Sequence, residues 1–203
     1  MNSQAFQAAS LRWLQGFKDK GMKVENQGET LPFLEFDALR EKALPDLLSM
    51  LTKFMEGHAD LVQFRESSEA LALKYNLWGF TGFSGQMTLN QLVKWPEASA
   101  RMEDLFRVHL RAPSSPENAQ ESLDALCLKS EELIPRGRPK RSGAIPYLAS
   151  YFWQIQEPHR IPVIYASARD LLRAEGLLEI HQTPCSTYAA FWKIQEDLAR
   201  IYK

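Results

Sequence analysis

Residues 146–155, PYLASYFWQI, set Leu148, Tyr151, Phe152 and Ile155 at i, i+3, i+4 and i+7, the spacing of one apolar face on an α-helix and not the alternation of a strand. The same period recurs on both sides of this segment. Upstream, Ser115-Pro116-Glu117 is a helix start with an N-cap, a proline at the first helical position and an acid that complements the dipole. Ala119, Leu123, Leu126, Ser130 and Leu133 then line one face. Downstream, Pro158 and Pro162 bracket a turn, 167–175 reads as a helix ended by Gly176, and Thr183-Pro184 opens a last helix.

Toward the N-terminus, Phe6, Ala9, Trp13 and Phe17 predict a first helix over 4–20, stopped at Gly21. The stretch 21–36 has no clear period. Asp37 is the expected N-cap of a second helix, broken or kinked at Pro45 and continuing through Leu47, Leu48, Leu51, Phe54 and Met55 to Gly57. Helices follow over 59–75 (Leu61, Phe64, Ser68, Leu71, Tyr75), over 86–95 with Ser84 as cap and Pro96 as stop, and over 97–111 (Met102, Leu105, Phe106, Leu110). The expectation is an all-α fold: residues 1–203 as one compact multi-helix domain, with strand confined at most to 22–26 and 163–165.

The chain has 203 residues, 45% of them hydrophobic, enough to fill the core of a single domain. Lys+Arg 24 against Asp+Glu 25 gives a net charge of -1, so any nucleic-acid contact must come from a local patch. The start, MNSQAFQAAS, has neither a basic leader nor an apolar core of a signal peptide, which predicts a cytoplasmic protein with no membrane partner. Cys127 and Cys185 lack C-x-x-C spacing and fall in different helices, arguing against a zinc site or a disulfide framework. Cys127 lies on the core stripe of its helix and reads as a small buried hydrophobe.

The dense cationic run is 136–141, RGRPKR, in which Arg136, Arg138, Lys140 and Arg141 are kept out of regular structure by Gly137 and Pro139. Such a loop can follow a phosphate backbone, each cation displacing a condensed counterion; it can equally be a solvated loop. In 78–85, WGFTGFSG, three glycines precede a helix, but the spacing matches no phosphate-binding loop. Trp78, Phe80 and Phe83 are either a stacking platform for bases or core anchors on a glycine turn, and the commonness of buried aromatics weighs toward the core. His109 falls within the apolar stripe of its helix and reads as a core histidine. His58, His159 and His181 show no metal-ligand pairing, and no set of residues passes as a catalytic centre. No cofactor is expected.

Two stretches together, WGFTGFSGQMTLNQLVK (78–94) and IPYLASYFWQIQEPHRIPVIYASARDLLRAEG (145–176), carry FSG-x-M-x-x-N-x-L and FW-x-x-x-x-P-x-x-x-P-V-x-Y. They resemble elements of the N-terminal, target-recognition region of McrB-type AAA+ ATPases. The resemblance implies a front module of an NTP-dependent restriction or antiphage defence machine, selecting DNA while an AAA+ motor, following Lys203, and a separate nuclease do the work. The chain holds no Walker A lysine, so it is expected to have no nucleotide hydrolysis of its own. The alternative is a protein-interaction or sensing domain that binds no nucleic acid.

Overall fold

The computed structural model describes residues 8, 11–12, 15, 23–26, 29–75, 77–80, 85–94, 96–133, 142–179 and 183–201. Among them are eight α-helices, one 3-10 turn (Ser142–Ala144) and one two-stranded hairpin, so the architecture is all-α. Ala8, Leu11, Arg12 and Gln15 are helical, within the expected first helix.

Strands β1 (Lys23–Asn26) and β2 (Glu29–Pro32) pair antiparallel, with Val24 opposite Leu31 and Asn26 opposite Glu29. The first strand was legible; its partner was not. Residues 163–165 form no strand. They pass between helices with Val163 and Ile164 buried, and the Ile164 N–H donates to Ser150 Oγ at 3.3 Å instead of to a neighbouring strand.

Helix α1 (Phe33–Met55) starts one turn before Asp37, directly after β2, and runs unbroken through Pro45. Pro45 is exposed, and the opposite stripe of Ala43, Leu47, Met50, Leu51 and Phe54 is buried. Burial of that stripe offsets the one intrahelical hydrogen bond the proline removes. Helix α2 (Leu61–Tyr75) is capped by Asp60, whose Oδ1 accepts from the Gln63 N–H at 2.8 Å while Gln63 Oε1 accepts from the Asp60 N–H at 3.0 Å. Phe64 stacks on Phe54 of α1 at 4.2 Å between centroids.

Helices α3 (Gly85–Leu92), α4 (Pro96–His109), α5 (Pro116–Leu133), α6 (Ile145–Gln156), α7 (Ala166–Ala174) and α8 (Pro184–Ile201) complete the fold. Helix α6 is its centre. Leu148, Ala149, Ser150, Tyr151, Phe152, Trp153 and Ile155 are all buried, so it is apolar around most of its circumference and packs on α1, α3, α5 and α8. Its two polar tips complete the C-terminal end of α4: the Trp153 indole N–H donates to His109 O at 2.9 Å and Gln156 Nε2 to Leu110 O at 2.8 Å. These are carbonyls a helix end leaves without intrahelical partners.

One buried cluster extends from Phe36 to Trp192, and Leu178 and Ile194 form a small second one. Among the described residues no helix is long and apolar enough to cross a membrane.

Candidate nucleic-acid interface

Arg136, Arg138, Lys140, Arg141 and Phe83 lie outside the described residues. What is described is their setting. The basic run occupies the connection between the end of α5 and the 3-10 turn that leads into α6. The last turns of α5 carry exposed Glu131 and Glu132, and Lys129 donates to Glu132 at 2.5 Å, holding that carboxyl below its usual range.

Trp78 and Phe80 are described, and both face inward, at 6% and 2% exposure. The Phe80 ring stacks on Tyr151 at 4.0 Å and 7° and meets Phe152 edge-on at 5.4 Å. Its edge lies over Gly85, where a Cβ would fall 2.2 Å from Cε2. The Trp78 ring meets the edge-on Tyr151 at 6.0 Å, and its indole N–H donates to Gln154 Oε1 at 2.8 Å. Neither ring offers a face to a base, so of the two readings open for these residues the packing supports core anchors. Gly79, at φ +63, is what lets consecutive aromatics turn to the same interior, because a side chain would be strained in that region.

Arg40 of α1 closes this corner, and nothing in its spacing marked it. Its guanidinium lies 4.5 Å from the Phe36 ring centroid and 5.4 Å from that of Trp78, and Nε donates to Leu77 O at 3.1 Å. The Tyr147 hydroxyl donates to Trp78 O at 2.9 Å. Tyr165 sits 5.6 Å from Tyr147, and burial pushes its phenol pKa up. Between Leu71, Tyr75, Leu77, Trp78 and Tyr151 lies a cleft of about 10 Å³. That is room for about one water molecule and not for a small-molecule ligand.

Two further polar groups act structurally. Glu103 of α4 accepts from the Leu61 N–H at 2.8 Å and pairs with Arg107 at 2.5 Å; Arg107 in turn donates to Phe54 O and Ala59 O, both at 3.2 Å. Arg107 also lies 3.8 Å from Asp104 on its own helix, and its two carbonyl contacts tie α4 to the α1–α2 turn. Gln86, fully buried on α3, accepts from Ser68 Oγ at 3.1 Å and donates to Arg65 O at 3.1 Å. The one sequence sign of this bridge was a serine in the apolar stripe of α2.

His109 is half-buried, and desolvation lowers its pKa, as for an imidazole kept neutral against a core. Cys185 is buried, and Cys127, expected as a small buried hydrophobe, is half-buried and packs against the core cluster. Among the described residues there is no group of three or more His, Cys, Asp or Glu side chains placed to hold a metal ion.

No protein-family profile, curated protein or solved structure matches the chain.

Proposed function

We propose that this chain is a non-catalytic target-recognition module of an NTP-dependent restriction or antiphage defence system, contacting DNA through Arg136, Arg138, Lys140 and Arg141. The observation that carries the reading is the distribution of charge. From 133 to 156 the chain contains no Asp or Glu, and the four cations stand within that stretch. On the helical body Arg65, Lys74, Arg107, Lys129, Arg160, Arg169, Lys193 and Arg200 each face a carboxylate at 2.5–3.7 Å. A net charge near zero therefore coexists with one stretch of sequence that holds four cations and no acid, which is where phosphates would be drawn. The AAA+ motor and the separate nuclease rest on the sequence resemblance alone.

The second reading, a protein-interaction or sensing domain, is favoured by the burial of Trp78 and Phe80, which removes two stacking groups for bases.

Fluorescence anisotropy on plain and methylated DNA, duplex and single-stranded, at two salt concentrations separates the readings. Phosphate contact by the basic run predicts binding that falls with salt, with a slope reduced by about one per cation removed. The Arg136→Ala, Arg138→Ala, Lys140→Ala, Arg141→Ala variant should stay folded and lose nearly all affinity. Absence of binding by the wild type at low salt, or undiminished binding by the variant, rejects DNA recognition through this segment.

A further inference from the structure

The fold brings together two thiols that lie 58 residues apart in sequence: Cys127 Sγ on α5 and Cys185 Sγ in the first turn of α8 are 3.3 Å from each other. These two helices form the most extensive helix–helix contact among the described residues. The first turn of α8 is held by Thr183 and Ser186, whose hydroxyls and backbone N–H groups cap each other at 3.0–3.3 Å. A disulfide has its sulfurs at ~2.05 Å, so bond formation asks for an approach of about 1.2 Å.

We propose that Cys127 and Cys185 are an oxidisable dithiol, a modification site that a low-molecular-weight disulfide such as oxidised glutathione converts into an intramolecular cross-link between α5 and α8. Cys127 is half-buried and Cys185 only 2% exposed, so Cys127 reacts first. Its thiolate attacks one sulfur of the small disulfide, forming a mixed disulfide and releasing one glutathione thiolate. Cys185 then gives up its proton and attacks Cys127 Sγ; the Cys127–glutathione bond breaks and the second glutathione leaves. Two protein thiols are oxidised, one small disulfide is reduced, and the two protons end on the departing thiolates. In the dithiol the Cys127 thiol, burial and the Asp124 carboxylate all raise the Cys185 pKa; the last two persist once Cys127 carries glutathione and slow the second step.

The test equilibrates the folded full chain, and the same chain unfolded in urea, in glutathione redox buffers, with the products read by intact mass and non-reducing electrophoresis. Native proximity predicts a monomer lacking two hydrogens, with an equilibrium roughly 100-fold further toward the disulfide in the folded than in the unfolded protein. Its Tm should rise by roughly 5–10 °C and return on reduction. Cys127→Ala and Cys185→Ala, each verified as folded by circular dichroism, should yield no intramolecular product. Glutathione adducts that never close, a disulfide-linked dimer as the main product, or an equilibrium no more favourable in the folded chain would overturn the proposal.

Discussion

Replacing Phe80 by alanine separates a core anchor from a base-stacking group. The ring is 2% exposed, stacks on Tyr151 at 4.0 Å and abuts Phe152. Losing its apolar area costs about 2–3 kcal/mol, and losing the aromatic contacts a further ~0.5–1.5 kcal/mol. Together with the cavity left beside Tyr151, the expected destabilisation is about 3–5 kcal/mol. For 203 residues the unfolding entropy is about 0.43 kcal/mol/K, so Tm should fall by roughly 7–12 °C. The assay is thermal and urea unfolding followed by circular dichroism, beside DNA anisotropy under conditions where the variant is folded. Phe80→Leu, which refills part of the space, should recover more than half of the loss. A Tm within about 2 °C of wild type combined with a tenfold or greater loss of DNA affinity would show that the ring works as a stacking group and would refute the packing argument.

Gly85→Ala should destabilise by about 1–3 kcal/mol in the same melts, because its Cβ would lie 2.2 Å from a Phe80 ring already held against Tyr151; an unchanged Tm would mean the ring can swing aside. Glu103→Ala removes the acceptor of the Leu61 N–H and the partner of Arg107, at an expected cost of about 1–2 kcal/mol, whereas Glu103→Gln, which keeps an acceptor, should cost less. Equal losses in the two variants would show that charge, not the cap, matters there. Glu117 is held down to about 2 by hydrogen bonds from Lys193, its own backbone N–H and Ser115. Because its folded-state value is depressed, its contribution to stability is present above about 4.5 and is lost as pH falls toward 2. Lys193→Met should move the Glu117 carboxyl titration upward in carbon-detected NMR, and an unmoved titration would remove Lys193 as the main cause.

The helices were legible because their apolar stripes are local and periodic. Ala119, Leu123, Leu126 and Ser130 are buried on the face their spacing assigned, as are Met102, Phe106 and Leu110. Boundaries were less so. The start of α1 at Phe33 instead of Asp37 follows from the hairpin that feeds it, and no residue near Phe33 announces a cap. The passage of α1 through Pro45 depends on how much apolar surface neighbouring helices cover on the far side, a quantity that no window of sequence contains.

What the sequence by itself determined is the class of fold and the place of the basic run, since periodicity, caps and charge are properties of neighbours along the chain. What only the tertiary structure decided is which of two physically allowed environments each ambiguous side chain occupies. Trp78 and Phe80 suit an exposed platform or a core equally well by composition, and it is α6, arriving some seventy residues later with Tyr151, Phe152 and Gln154, that encloses them. Arg107 reads as a surface cation until the α1–α2 turn places two carbonyls within its reach. Cys127 and Cys185 read as unrelated until α5 and α8 pack side by side. In each case the deciding partner is distant in sequence, and burial and hydrogen bonding between distant residues exist only once the chain has closed on itself.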